Sequence, residues 1–442
     1  MNKDQTKAVD TILELASQKN STSWYGLYGG AGVGKTYTIK HLIEEATKQG
    51  RSVAITATTG KAASLIGGQT LHSYLGMRMT INQMADNEED ALQIGKPTAD
   101  VNADILIIDE ASMLDRKTVL AVQGIESRFR VVLLVGDTDQ LPPVKSVKPN
   151  LFGIDHIVLK KQQRMKNPAM QSLANAMKKL ISDDLSYVDL EEYVDNKSVH
   201  IIDEIPKIKA GQCALAYHNK KVEQYIPEEH GDDYNLFNGV TISTISKRGI
   251  QTEALYPNGY DLRLELRPIE SANLSVTQKG GHYRKGSQLF PKTECPNLYL
   301  ATDEEGNNFI VHKGSRTELD KMRADLFYEA KDYREKLLNK YKKAGKLYEW
   351  KTKFDKEELD KWNSLWSEYA RIAEIVHIRP TESRTIHKSQ GSTITDVFVD
   401  MDDIHKAKGE ILHALYVAFT RATDNLYIKG HSDNLRIWGA NS

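Results

Sequence analysis

The sequence predicts an α/β protein built on parallel sheets, and three observations carry that prediction. Short apolar runs rich in β-branched residues alternate with helical periodicity through the first 160 residues. Each run ends in Gly, Asp or Thr, the punctuation of strand ends. The same rhythm returns at SVHIID and QCALAY, and again after Ile375. A chain of 442 residues is too long for one ordinary core, so two to four domains are expected.

Taken in order, MNKDQTKAVDTILELA reads as an amphipathic helix with no secretory h-region. STSWYGLY, SVAITA, DILIID and VVLLVGD read as strands, with helical segments such as KTYTIKHLIEEATKQ between them. Residues 77–103 break the pattern and read as an insertion. From Phe237 to about Val311, short strand-like pieces with Gly, Pro and Asn turns suggest a small all-β module. Glu318 to Ile375 is helical in pattern and laden with Lys and Glu, with Trp350, Trp362 and Trp366 spaced through it. Strands return in TDVFVDM and NLYIKG. The resulting division is 1–160, 161–239, 240–375 and 376–442.

Composition narrows the class. The chain is 40% hydrophobic and 27% charged, as in folded soluble proteins. A formal net charge of -1 gives no global basic field, so any polyanion must be met by a local groove. Two cysteines make no disulfide framework; Cys213 reads as a buried strand residue and Cys295, beside Pro296, as a loop residue. The runs ILII and VVLLV are too short to span a bilayer. A cytoplasmic location without a membrane partner is expected.

GGAGVGKT supplies the first chemistry: Gly29, Gly30, Ala31, Gly32, Val33, Gly34, Lys35 and Thr36 follow a strand and open a helix. Glycines let backbone N–H groups curl around phosphates, Lys35 reaches the outer phosphates, and the Thr36 hydroxyl is placed to ligate Mg²⁺. ILIIDEAS then delivers Asp109 to the metal and Glu110 as the base that orients and deprotonates water. In VVLLVGDTDQLPPV, Gln140 is a candidate sensor of the terminal phosphate, and Pro142-Pro143 stiffen the exit. These runs predict nucleotide hydrolysis. A kinase or a switch GTPase still fits them.

The full succession is more specific. In order the chain carries Gln5, GGAGVGKT, TATTGKAA, TLHSYLG, IIDEAS, VGDTDQLPPV, QQRM, AYHNKKV, TIHKSQGSTITDVFVD and YVAFTRA. This succession resembles the superfamily 1 helicases of the RecD and Pif1 type, and its layout is most similar to the Dda helicases of tailed phages. The resemblance runs from Gln5 to about Ile428 and thins over 77–103 and 240–375. It implies two RecA-like lobes with ATP and Mg²⁺ between them, and host-cell cytoplasm if the chain is phage-encoded. Arg164 and Arg421 would then be arginine fingers from the second lobe, which typically raise turnover ~10³–10⁵-fold. A structural ion pair of Arg421 with Asp424, and a surface position for Arg164, are the alternatives. Gln5 would read adenine; alone it would be a solvated helix residue. Gln390 and Gly391 would also face the nucleotide.

Thr56, Thr58, Thr59, Lys61, Thr70 and His72 are candidates to hold a strand's phosphates without reading sequence. His387, Lys388, Gln390 and Ser392 mirror them on the second lobe, joined by His218 and Asn219 in AYHNKKV. Isolated, His72 and His387 would more often be cap or core residues. The resemblance implies 5′→3′ movement of a monomer on single-stranded and forked duplex DNA. Expected protein partners are a single-strand-binding protein or replication proteins. The 77–103 insertion falls where the family carries a strand-splitting β-hairpin, with Met79, Ile81 and Met84 as candidate wedges. The 240–311 module resembles an SH3-like insertion, followed by a helical arm. A protein-stripping translocase and a nucleotide-gated loading factor are the competing readings.

Overall fold

In the computed structural model the described residues are 1–18, 21–77, 79–81, 92–94, 99–141, 153–162, 167–195, 197–209, 211–225, 236–238, 244–246, 249–251, 261–268, 277–278, 281–282, 297–304, 306, 308–343, 355–407 and 409–439. The first lobe opens with helix α1 (Lys3–Leu15), strand β1 (Ser23–Gly29) and helix α2 (Lys35–Lys48). Then come β2 (Val53–Ala57), α3 (Gly60–Leu65), β3 (Gln69–Thr70) and α4 (Leu71–Tyr74). The short strands β4 (Met79–Ile81) and β5 (Leu92–Ile94) pair antiparallel within the 77–103 insertion. β6 (Ile105–Asp109), α5 (Arg116–Gln123), β7 (Val131–Gly136) and β8 (His156–Leu159) complete the lobe. Its sheet has the order β3-β2-β6-β7-β1-β8, and every pairing is parallel.

Burial explains the unbroken apolar runs. On β6 and β7, Ile105, Ile107, Val131, Leu133 and Val135 face α1 and α2, packing with Ile12, Ile39 and Leu42. The alternate residues Leu106, Ile108, Val132 and Leu134 face the opposite layer with Val119 and Val122 of α5. A strand covered on both faces needs apolar side chains at every position. Each such side chain contributes about 1.5–3 kcal/mol on burial, so a charge at Leu133 would disrupt the lobe.

The second lobe begins with α6 (Pro168–Ile181), β9 (Tyr187–Asp189), β10 (Val199–Ile202), β11 (Gln212–Ala216) and α7 (Asn219–Gln224). Cys213 is buried on β11. The chain then leaves the lobe through β12 (Leu236–Asn238) and the short pair β13 (Thr244–Ser246) and β14 (Gly249–Gln251). It continues through β15 (Asp261–Pro268), the pair β16 (Thr277–Gln278) and β17 (Gly281–His282), β18 (Leu298–Asp303) and β19 (Asn308–His312). Helices α8 (Arg316–Lys343) and α9 (Lys356–Glu374) follow, then β20 (Val376–His377) and β21 (Arg379–Pro380). The six strands β20-β19-β18-β15-β12-β21 form one sheet, antiparallel except where β19 meets β20. Trp362 and Trp366 on α9 pack against Phe327 and Ala330 on α8, so an otherwise highly charged helix pair encloses an aromatic core.

The chain returns with β22 (Ser383–Thr385), α10 (Ile386–Ser389), β23 (Ile394–Asp400), α11 (Met401–Ile404), α12 (Ile411–Phe419), β24 (Ala422–Lys429) and β25 (Arg436–Trp438). The sheet β10-β24-β23-β11-β22 is again wholly parallel. β25 pairs with β9 alongside it. Helices α6 and α12 share one core with this sheet through Met177, Leu180, Leu415 and Phe419. Among the described residues no helix is long and apolar enough to cross a membrane.

Candidate active site

The loop after β1 is shaped by its glycines. Gly32 and Gly34 hold φ of 79° and 91°, left-handed conformations that side-chain-bearing residues rarely adopt. Gly34 caps α2 with no side-chain hydrogen bond, so the helix opens on backbone N–H groups directed at the loop. Lys35 leads that helix, and its Nζ donates to the carbonyls of Gly29 at 2.7 Å and Gly30 at 3.1 Å.

β6 brings two carboxylates to the same edge. Burial, then the neighbouring Glu110, push the Asp109 carboxyl up to about 7, against the lowering effects of the Glu110 N–H and Lys35. A carboxyl in that state binds a cation by giving up its proton. Glu110 sits at φ 53°, an uncommon conformation for a residue other than glycine. Its backbone is pinned twice: the N–H donates to Asp109 Oδ1 at 2.9 Å, and the carbonyl accepts from the Thr58 hydroxyl at 2.9 Å. Gln140 follows β7, buried, with Nε2 3.5 Å from Asp137 Oδ2.

The second lobe closes the site. Arg421, 2% exposed, lies just after α12. Its Nε donates to the Val417 carbonyl at 3.1 Å, Nη2 to the Thr420 hydroxyl at 3.1 Å and Nη1 to the Ser392 carbonyl at 3.5 Å. A cavity of about 300 Å³ is lined by Gly32, Lys35, Thr36, Asp109, Glu110 and Gln140 of the first lobe together with Gly391 and Arg421 of the second. Asp424, the alternative partner for Arg421, is exposed on β24.

Several contacts hold the lobes together beside this cavity. The Tyr416 hydroxyl donates to Asp137 Oδ2 at 2.8 Å and accepts from the Ala31 N–H at 3.4 Å. Lys178 pairs with Asp139 at 3.3 Å, and His413 Nδ1 lies 2.8 Å from the Asp139 carbonyl. Gln162, the first residue of QQRM, donates to the Ala31 carbonyl at 2.8 Å. Sequence reasoning passed over Asp137, Asp139, His413 and Tyr416. The signal was present in YVAFTRA and VGDTDQ, but which polar atoms meet across two lobes is not a local property.

The residues present fit a nucleoside triphosphate with Mg²⁺. Among the described residues, Glu110 Oε2, Gln140 Oε1 and both amide atoms of Gln390 are buried without a hydrogen-bond partner. Glu110 and Gln140 line the cavity, so their atoms are available to a polar ligand there, and Gln390 adjoins Gly391 of the cavity wall. Thr36 and Asp109 would hold the metal, while Lys35 and the loop N–H groups would hold the phosphates.

The remaining candidates are scattered. Gln5 is 4% exposed, neither solvated nor on the cavity wall; Asn2 and Gln5 form a reciprocal capping box at the start of α1. Arg164, Met84 and Pro142-Pro143 lie outside the described residues, as do Cys295, Trp350 and the side chains of Met79 and Ile81. Two strand-binding candidates need correction. Thr56 is completely buried on β2 with its hydroxyl donated to the Ile107 carbonyl at 2.6 Å, so it serves the sheet. Ser392 is buried too, its hydroxyl facing Arg384 at 3.5 Å.

Thr59 and Thr70 cap α3 and α4, and His72 Nε2 lies 3.4 Å from the Thr118 hydroxyl. Lys61 is half-buried on α3. On the second lobe His218 pairs with Asp403 at 3.0 Å, and Asn219 accepts from Arg379 at 2.9 Å. His387 and Lys388 lie together on α10, and His387 Nε2 is 3.7 Å from Glu410. The Tyr217 ring lies 5.4 Å from that of His387, and the Tyr217 hydroxyl donates to Glu410 at 2.9 Å.

A glycine-shaped loop on one parallel-sheet lobe thus faces a buried arginine from another across a shared cavity, the arrangement of a two-lobed α/β protein. Residues 12–146 match the model of an AAA domain, and residues 383–428 match that of the UvrD-like helicase C-terminal domain. The chain is 31% identical over 249 residues to uncharacterized protein 030L of invertebrate iridescent virus 6, covering 52% of this chain and 43% of that one. It is 33% identical over 156 residues to the ATP-dependent DNA helicase RRM3 of Saccharomyces cerevisiae, covering 31% of this chain and 21% of that one. A solved structure of two coordinating Pif1 helicases for DNA unwinding at forked duplex DNA shares the fold, with a TM-score of 0.50 and 18% identity. That alignment covers 98% of this chain and 93% of the other. Two separate stretches of the chain are thus similar to AAA and UvrD-like helicase domains, and the chain spans less than half the length of the two curated relatives named here.

Proposed function

We propose that the protein is an ATP-dependent DNA helicase that moves 5′→3′ on single-stranded DNA and opens duplex ahead of it. The observation that supports this reading is the shared cavity: Arg421 and Gly391 of the second lobe stand opposite Lys35, Thr36 and Glu110 of the first. Hydrolysis then depends on lobe closure, and lobe closure is a movement.

In this reading, ATP with Mg²⁺ supplies the phosphoanhydride whose cleavage drives the cycle. Lys35 and the loop N–H groups bind the phosphates, with Thr36 and Asp109 at the metal. Glu110, held in its left-handed conformation by Thr58, orients and deprotonates water. Gln140 and Gln390 hold polar contacts at the reacting end, and Arg421 neutralises charge that develops there. Gln5 remains the candidate adenine reader, and Arg164 a second arginine finger. Because Arg421 is fixed to α12 and Lys35 to α2, separating the lobes removes the arginine while leaving the phosphate cradle whole.

Thr58 and Thr59 lead from the Glu110 backbone to α3 and Lys61, a candidate strand contact. His387 and Lys388 offer a second grip on α10, beside His218 and Asn219. Opening one base pair costs ~1.4 kcal/mol of stacking and an aromatic–base contact returns a comparable ~1–3 kcal/mol, but a grip made and released at every step does no net work in either direction. The nucleotide cycle supplies direction. The β4–β5 hairpin is proposed as the splitting pin, and the six-stranded sheet with α8 and α9 as the SH3-like module and clamp. A closer likeness to the Dda helicases, the expected partners and the monomeric state belong to the same proposal. The test is strand displacement with ATP and Mg²⁺ on forked DNA bearing a 5′ or a 3′ tail. Unwinding from the 5′ tail alone is expected; unwinding from neither tail would contradict the proposal.

A further inference from the structure

We propose that Tyr416 is a positioning residue for the ATPase, tying lobe closure to Gln140 through Asp137 and to the phosphate loop through Ala31. This inference rests on the ATPase reading above and adds a component to it.

Tyr416 projects from the middle of α12, the helix that also sets Arg421, and is 1% exposed. Its ring and backbone belong to the second-lobe core, yet its hydroxyl reaches only first-lobe partners among its described hydrogen bonds. The acceptor, Asp137 Oδ2, is buried and also lies 3.5 Å from Gln140 Nε2. One carboxylate oxygen therefore joins a helix of the second lobe to a side chain lining the cavity. Gln140 Oε1 has no partner, so an Nε2 anchored at Asp137 leaves that oxygen as its uncommitted end.

The Ala31 N–H belongs to the loop that would surround the phosphates, and it lies within 3.4 Å of the same phenol oxygen. Space here is tight. A side-chain carbon at Gly30 would stand 2.4 Å from Lys178 Nζ and 3.1 Å from the Tyr416 oxygen. Burial, then the charge of Asp137 and the hydrogen bond to it, raise the phenol well above its ordinary range, so it stays protonated as a donor. Lys178 Nζ lies 5.5 Å from the ring centroid and pairs with Asp139, a second tie across the cleft that does not use the hydroxyl. Removing the hydroxyl alone should leave the lobes associated and loosen only the alignment of Gln140, the loop and Arg421.

The experiment uses the full chain with Tyr416→Phe, Asp137→Ala and the double variant. Hydrolysis is measured with saturating single-stranded DNA, alongside melting temperature. A hydrogen bond to a buried carboxylate is strong enough that its loss should lower kcat by about 10- to 100-fold in each single variant. The KM for ATP should stay within roughly twofold, and an unshifted melting temperature separates this result from loss of folded protein, which would also lower apparent kcat at constant KM. The double variant should be no slower than the slower single one, because both delete one interaction.

Unchanged kcat in Tyr416→Phe, or losses that multiply in the double variant, would overturn the inference. If Tyr416→Phe melts early, unchanged kcat in Asp137→Ala would overturn it alone. A parent chain without DNA-stimulated hydrolysis would instead overturn the ATPase reading itself, and this inference with it.

Discussion

The Thr58 hydroxyl donates to the Glu110 carbonyl at 2.9 Å, tying the loop after β2 to the residue that carries the proposed base. Glu110 needs such support because its φ of 53° is a conformation that a residue with a side chain adopts at a cost of ~1–3 kcal/mol. Thr58→Val keeps the shape of the side chain and removes the donor. We expect kcat for ATP to fall about three- to tenfold, the effect of one modest hydrogen bond, with KM nearly unchanged. Steady-state hydrolysis with and without single-stranded DNA checks this.

Lys35 is the cation that the loop carbonyls of Gly29 and Gly30 hold at the phosphate end of the cavity. Lys35→Ala should abolish hydrolysis while single-strand affinity stays within a few-fold, since the strand-binding candidates lie on other loops. Fluorescence anisotropy of a labelled oligonucleotide, beside a phosphate-release assay, separates the two effects.

The β4–β5 pair sets Met79 opposite Ile94 and Ile81 opposite Leu92. Replacing residues 79–94 with a short Gly-Ser turn should abolish strand displacement on a fork and leave DNA-stimulated hydrolysis intact. Persistent unwinding would remove the hairpin from the role of pin and leave the rest of the mechanism standing.

Burial depresses the His72 imidazole, with Asp115 opposing and Lys117 reinforcing, and it depresses His387 with Glu410 opposing. With the folded value below the unfolded one, the unfolded chain binds more protons in that window, so acid favours unfolding. These two residues should cost stability as pH falls below about 6.5 toward their depressed folded values. The melting temperature should therefore drop more steeply between about pH 7.5 and 5.5 in the parent chain than in the His72→Gln, His387→Gln variant. Equal slopes would remove both histidines from the acid response.

What could be read in the sequence was what is set locally. Buried strands such as β6 and β7 announce themselves because both faces need apolar residues, and Gly32 and Gly34 because only glycine takes their φ readily. Thr56 looked like its neighbours Thr58 and Thr59, but it falls at a buried strand position, where the Ile107 carbonyl takes its hydroxyl. Asn2 and Gln5 three residues later spell a capping box that is legible in the sequence beside the ligand reading of Gln5. Ser392 likewise resembles its neighbours as a strand contact, but its side chain is buried against Arg384. Tyr416 was invisible because its partners, Asp137 and Ala31, lie 279 and 385 residues away in the chain. The order of the motifs was the only sequence signal that brought Arg421 to the cavity holding Lys35.

If Arg421 acts on a nucleotide held by the other lobe, binding and turnover must respond differently to its loss. The direct measurement is Arg421→Ala, with ATP affinity and single-turnover hydrolysis determined on the same protein in the presence of single-stranded DNA. The account predicts affinity within a few-fold of the parent and a hydrolysis rate lower by roughly 10³ or more. Equal losses in affinity and rate, or a rate left intact, would contradict it.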